Sequence, residues 1–135
     1  MTQGRSANLG PGRILGVLGH PVRHSASPAM HNAAFVAQGM YAMYGAFDVP
    51  PEQLAQAVAG IRTLGLLGVN VTIPYKGAVM AYLDEVAPTA RQVGAVNTIV
   101  NRGGRLIGYN TDGWGFLISL EERGVRVAGR HVVLL

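Results

Sequence analysis

The stretch Ile14-Leu15-Gly16-Val17-Leu18-Gly19-His20-Pro21, followed by His24-Ser25-Ala26-Ser27-Pro28, decides the fold. Ile14 to Gly19 is apolar throughout, too short for a buried helix, and bounded by a Gly-Pro-Gly segment on one side and a proline on the other, which predicts a buried strand. Ser27-Pro28 predicts a helix start: a serine hydroxyl accepts from free backbone N–H groups, and proline has the dihedral of a first turn preset. Met30, Ala33, Ala34 and Ala37 then share one helical face, and Gly39 ends it.

The same alternation continues outward. Tyr41 to Val49 is a second β-leaning run, and Pro50-Pro51-Glu52 leads into a helical pattern of Leu54, Ala57, Val58 and Ile61. Leu66 to Val71 is a third strand, closed by Thr72-Ile73-Pro74, with a short helix expected over Lys76 to Leu83. Ala95 to Val100 and Arg105 to Tyr109 flank Asn101-Arg102-Gly103-Gly104, a hairpin signal. Asp112 is placed to cap a last helix that carries Phe116, Leu117 and Leu120 inward and ends near Gly124, and Val132 to Leu135 reads as the start of another strand. Strands alternating with helices predict an α/β fold of three layers: a mostly parallel sheet with one antiparallel hairpin and helices on both faces.

A chain of 135 residues has room for one core of ordinary size. Only 13% of its residues are charged, about half the usual share, which argues against intrinsic disorder. Of the 11 lysines and arginines, Lys76 is the sole lysine. The arginines raise the isoelectric point to about 10.0 but are scattered, without a basic run or interleaved aromatics, so no nucleic-acid partner is expected. The absence of cysteine excludes a disulfide framework and fits a cytoplasmic protein. No apolar run approaches the roughly 18 residues of a membrane span. His20, His24 and His31 are separated by prolines that prevent one helix from presenting them together, so no metal site is expected.

In sheets of this kind ligands bind beyond the carboxyl ends of the strands, where the polar clusters of this chain fall. Ser25 and Ser27 put two hydroxyls at a helix N-terminus, where a carboxylate would fit; Ser27 is equally a plain helix cap. Lys76 follows a strand-end turn. Its amine can serve as a general acid or base, which an arginine cannot, and the competing reading is a solvated surface lysine. Asp112 can orient that amine, accept a substrate hydroxyl, or simply cap its helix. Asn70, Thr72 and Asn97 supply neutral donors and acceptors for reading hydroxyls, or serve as turn and ladder residues. Gly113 and Gly115 hint at a close approach by a ligand or second domain, and Trp114 and Phe116 read as core or interface residues.

Taken in order, Gly16-Val17-Leu18-Gly19-His20-Pro21 through His24-Ser25-Ala26-Ser27-Pro28 to His31-Asn32 resembles the opening motif of the shikimate dehydrogenases. Gly68-Val69-Asn70-Val71-Thr72-Ile73-Pro74-Tyr75-Lys76 resembles their catalytic-lysine segment, Gly94-Ala95-Val96-Asn97-Thr98 the next motif, and Gly108-Tyr109-Asn110-Thr111-Asp112-Gly113 the catalytic-aspartate motif. The resemblance implies NADP-dependent, reversible reduction of 3-dehydroshikimate to shikimate. Ser25 and Ser27 would hold the substrate carboxylate, Asn70, Thr72 and Asn97 would line the polyol site, and Lys76 with Asp112 would form the catalytic pair. It also implies residues 1–12 as a flexible leader, 13–124 as a substrate-binding domain, and 125–135 as a linker and first strand of an NADP-binding domain whose glycine-rich loop this chain lacks. The protein would be a monomer or homodimer, and the chain inactive by itself. Histidine at position 20 departs from the family's usual asparagine. A quinate or aminoshikimate dehydrogenase, and a non-catalytic module that binds small carboxylates, are the alternatives.

Overall fold

The computed structural model describes residues 12–133. Its elements run β1 (Arg13–Gly19), α1 (Ser27–Ala37), β2 (Ala42–Asp48), α2 (Leu54–Thr63), β3 (Gly68–Val71), β4 (Glu85–Val86), α3 (Pro88–Val93), β5 (Thr98–Arg102), β6 (Arg105–Tyr109) and α4 (Asp112–Glu122). Single 3-10 turns stand at Pro51–Gln53 and Ala78–Tyr82. One sheet of order β2-β1-β3-β5-β6-β4 carries the fold. The β1–β2, β1–β3 and β4–β6 pairs are parallel, and β3–β5 and β5–β6 are antiparallel.

The α/β architecture with helices on both faces is as the alternation predicts. Strand β4 and helix α3 have no counterpart in the sequence reading: two residues and six are too few to set up a readable period. The short helix expected over Lys76 to Leu83 is present as a 3-10 helix over Ala78–Tyr82.

Strand alternation divides the inward residues into two unequal cores. Leu18, Val69, Val71, Ile99 and Leu106 face α2, α3 and the Ala78–Tyr82 turn, and together with Val58, Ile61, Val79 and Val96 build the main core. On the opposite face Val17 and Tyr44 pack with Val22, Leu15 and Phe35 beneath α1. This second face also carries Asn70 and Thr98, which are paired across β3 and β5. A polar row on a thinly covered sheet face is where a ligand can reach the strands.

Two turns fix the geometry of that face. The hairpin between β5 and β6 pivots on Gly103 and Gly104, with φ of 59° and 93°, a backbone that side-chain-bearing residues rarely adopt. At the end of β1, a Cβ on Gly19 would stand 2.4 Å from Thr72 Cγ2, so glycine is required for Thr72 to sit against the strand.

Several local expectations are corrected. Ser27 does not cap α1, whose N-cap residue is Ala26; the Ser27 backbone N–H instead donates to Ser25 Oγ at 3.2 Å. The face of α1 that packs is His31, Asn32 and Phe35, whereas Met30, Ala33, Ala34 and Ala37 are exposed. The small alanines leave little area to bury, and Asn32 offers something stronger. Its amide donates to the Tyr44 carbonyl and accepts from the Tyr44 N–H, each at 2.9 Å, which closes the open edge of β2 as a neighbouring strand would.

Asp112 does not cap α4 with its side chain; Asn110 Oδ1 accepts the N–H groups of Asp112 and Gly113 at 3.1 and 3.3 Å. Phe116 and Leu117 do not turn inward, and Trp114 is 70% exposed, so neither Trp114 nor Phe116 is a core residue. The cause is that α4 leaves the sheet edge and no described element lies across it. A Cβ on Gly113 or Gly115 would likewise meet nothing within 4 Å. Val132 and Val133 form no strand, having no described strand to pair with, and Leu134 and Leu135, like the leader before Gly12, lie outside the described residues.

Candidate functional site

The polar residues collect at the carboxyl ends of β1 and β3 and at the start of α4. Tyr75, buried and donating its hydroxyl to the Val49 carbonyl at 2.5 Å, pins the turn that follows β3. That turn delivers Lys76, whose carbonyl accepts the Val96 N–H at 2.7 Å. Lys76 is thereby tied to the segment carrying Asn97.

Lys76 Nζ donates to Asp112 Oδ2 at 2.5 Å. The two residues are 36 positions apart in sequence and meet only through the fold. Their side chains are 35% and 51% exposed, and an ion pair so open to water contributes only about 0–1 kcal/mol to stability. The second carboxylate oxygen of Asp112 accepts from Asn97 Nδ2 at 2.7 Å. Both oxygens are held, so the carboxylate has one orientation toward the amine.

Among the described residues Asn97, 8% exposed, is the one buried polar side chain. Its Nδ2 also donates to Thr111 Oγ1 at 2.8 Å, and its Oδ1 accepts from the Thr111 N–H and the Thr98 hydroxyl, each at 3.0 Å. With both amide hydrogens and both carbonyl lone pairs engaged, Asn97 organises Asp112 from behind. Asn70 extends the network: Nδ2 donates to Thr98 Oγ1 at 3.2 Å, and Oδ1 accepts the Tyr44 hydroxyl at 2.6 Å. Burial pushes the Tyr44 phenol up to about 12, so it keeps its proton at any physiological pH.

A second group surrounds an open cavity of about 410 Å³, lined by Ser25, Ser27, Thr72, His20, His24 and the apolar residues beneath them. Ser27 Oγ has no hydrogen-bond partner among the described residues, and Ser25, having accepted one bond, still has its hydroxyl proton to give. His20 stands on the rim, its Nδ1 2.8 Å from Asp48 Oδ1, and Arg23 Nε donates to Asp48 Oδ2 at 3.0 Å. The hydrogen bond from His20, seconded by Arg23, holds the Asp48 carboxyl below its usual range against an opposing effect of burial.

The structure therefore brings the sequence candidates together as two clusters. Ser25, Ser27 and Thr72 line one cavity; Asn70, Asn97, Lys76 and Asp112 share one network. Strand β3 joins them, since Asn70 and Thr72, two residues apart, leave it on the same side. Sequence reading missed Tyr44, and it quoted Thr98 and Asn110 within motifs without giving either a role of its own. An asparagine just before a helix start was a legible capping signal at Asn110, whereas a tyrosine in an apolar strand carries none.

Among the described residues no three His, Cys, Asp or Glu side chains gather as a metal ion would require, and no helix is long and apolar enough to cross a membrane. These residues also do not fit a dinucleotide. The first turn of α4 already holds the Asp112 carboxylate, and no described strand-to-helix turn has a glycine-rich phosphate cradle.

Residues 17–99 match the family model described as the shikimate dehydrogenase substrate binding domain. Over all 135 residues the chain is 84% identical to a shikimate dehydrogenase (NADP(+)) of Symbiobacterium thermophilum, and over 122 residues it is 57% identical to that of Moorella thermoacetica. It covers 46% and 41% of these relatives, so it spans about half their length. Among solved structures, shikimate 5-dehydrogenase from Thermus thermophilus in complex with shikimate superposes with a TM-score of 0.81 at 45% identity, over 87% of this chain and 45% of that one. The fold, the two polar clusters and these matches lead to one conclusion: the chain belongs to the shikimate dehydrogenase family, whose substrate-binding domain it carries.

Proposed function

We propose that this chain is the substrate-binding and proton-transferring part of an NADP-dependent shikimate dehydrogenase, which interconverts 3-dehydroshikimate and shikimate. The observation that carries this reading is the Lys76–Asp112 pair, held from behind by Asn97. Such a pair adds little stability, so its fixed geometry is explained by chemistry.

In this reading Ser25 and Ser27 donate their hydroxyls to the substrate carboxylate near the N-terminus of α1. Thr72 and Asn70, on the same side of β3, read ring hydroxyls, Asn70 through the remaining lone pair of Oδ1. Asp112 and Lys76 bracket the oxygen at the reacting carbon. As negative charge develops there during reduction, Lys76 delivers a proton from Nζ, and in the reverse direction it takes the proton back. Asp112 fixes Nζ at the angle this transfer needs. The hydride chemistry would belong to the nicotinamide cofactor, as NADPH for reduction and NADP+ for the reverse, and none of the described residues is assigned to hold it.

We further propose residues 13–124 as the substrate-binding unit and 125–135 as a linker toward a cofactor domain, in a cytoplasmic protein, monomeric or dimeric, with no nucleic-acid or membrane partner. The test is NADP-dependent oxidation of shikimate and of quinate by the full-length protein. Higher kcat/KM for shikimate, with KM raised about tenfold or more in Ser25→Ala and Ser27→Ala, is expected. Preference for quinate, or binding of shikimate without turnover, contradicts the proposal.

A further inference from the structure

We propose that Thr98 is a positioning residue that sets, through its single hydroxyl, which amide atoms of Asn70 and Asn97 face outward, with Tyr44 anchoring the far end of the chain. The inference rests on the functional reading above. Thr98 Oγ1 accepts from Asn70 Nδ2 at 3.2 Å and donates to Asn97 Oδ1 at 3.0 Å. A hydroxyl has one proton to give, so the two neighbouring amides are locked in opposite senses.

Directionality comes from two main-chain groups of fixed sense: the Thr111 N–H, which can only donate to Asn97 Oδ1, and the Asn97 main-chain carbonyl, which can only accept from Asn70. Tyr44 donates to Asn70 Oδ1 at 2.6 Å, which leaves the Asn70 amide hydrogens for Thr98 Oγ1 and, at 3.4 Å, for the Asn97 carbonyl. If Asn70 flipped, its oxygen would face the Asn97 main-chain carbonyl, which can only accept, and a Thr98 hydroxyl whose proton is already given to Asn97 Oδ1. The chain from Tyr44 through Asn70, Thr98 and Asn97 to Asp112 thus has one consistent arrangement. It presents an acceptor at Asn70 Oδ1, suited to a substrate hydroxyl, and a donor at Asn97 Nδ2 that holds Asp112 Oδ1.

The packing around Tyr44 serves the same end. The His31 ring stacks on Tyr44 with centroids 4.2 Å apart, and Asn32 clamps the Tyr44 backbone, so the phenol is fixed from its ring and from its main chain. Thr98 lies directly opposite Asn70 in the β3–β5 register, which is what lets a short side chain bridge two asparagines.

The experiment compares Thr98→Val, Thr98→Ser and Tyr44→Phe in the full-length protein. Valine keeps the shape and removes the hydroxyl. Thr98→Val is expected to lower kcat/KM for shikimate about 10- to 100-fold, as a small misplacement of catalytic groups does. Thr98→Ser should return it to within about threefold of wild type. In NMR spectra the Asn70 and Asn97 side-chain amide signals should shift in Thr98→Val and keep their positions in Thr98→Ser. Wild-type turnover in Thr98→Val, or amide signals that do not move, overturns the assignment of Thr98 and leaves the functional reading intact. A wild-type protein inert toward shikimate overturns the functional reading itself. Should Thr98→Val fail to fold, Tyr44→Phe reports on the same chain, with a shifted Asn70 amide expected and an unshifted one contradicting the proposal.

Discussion

Replacing Asn97 by alanine removes four hydrogen bonds at once: to Thr111 Oγ1 at 2.8 Å, to Asp112 Oδ1 at 2.7 Å, and from the Thr111 N–H and Thr98 hydroxyl at 3.0 Å. At a net worth of about 0.5–1.5 kcal/mol each, the four together are worth about 2–6 kcal/mol. Thr111 and Asp112 are exposed, so water recovers most of what they lose, and the expected cost is about 2–3 kcal/mol. Urea unfolding of the full-length protein should show this as a lower midpoint with unchanged slope. Function should fall with it: Asp112 loses one of its two anchors, so kcat should drop by about 10- to 100-fold with a smaller change in KM. A stability within about 0.5 kcal/mol of wild type, with kcat preserved, would show that the network does not hold the pair and would refute the reasoning.

Three further outcomes are expected. Asn32→Ala breaks both hydrogen bonds to the Tyr44 backbone and should cost about 2 kcal/mol in the same unfolding measurement, with increased amide exchange along β2; an unchanged exchange pattern would contradict the edge-closing role. In a spectroscopic phenol titration, the difference between wild type and Tyr44→Phe should appear near pH 12. The neutral phenol is favoured in the fold, so its contribution is intact below the ordinary tyrosine value and fades as pH rises through about 12; ionisation near 10 would be inconsistent with its burial. The Asp84 carboxyl is held below its usual range by the Leu106 N–H and by Arg62, so it stabilises the fold above the ordinary aspartate value and ceases to do so as pH falls through its lowered one. Asp84→Asn should therefore flatten the acid limb of stability against pH, and an identical acid limb would contradict the assignment.

How much of this was legible in the sequence varies with the range of the interaction involved. Strand β1 and its helix could be read because an apolar run ends at a proline and a Ser-Pro pair opens the next element, both local signals. The hairpin was legible for the same reason, since Gly103 and Gly104 carry the backbone that the turn demands. The packing face of α1 was misread because Asn32 uses hydrogen bonds to the β2 backbone, and no hydrophobic period records that. Phe116 and Leu117 were misread because apolar spacing shows which residues share a face but not whether anything covers it. At the site, the lysine, aspartate and asparagines were identified by residue type and motif. Their division into a ligand-facing Asn70 and a fully engaged Asn97 required Tyr44 and Thr98, partners 26 and 28 residues from Asn70 in the chain.

The central claim, that Lys76 moves the proton under the control of Asp112, is tested most directly by steady-state oxidation of shikimate with NADP+ by the full-length protein and its Lys76→Ala variant. The account predicts turnover in the wild type and a kcat lowered about 10²- to 10⁴-fold in Lys76→Ala, with KM for shikimate changed far less. A Lys76→Ala protein that keeps wild-type kcat would contradict it.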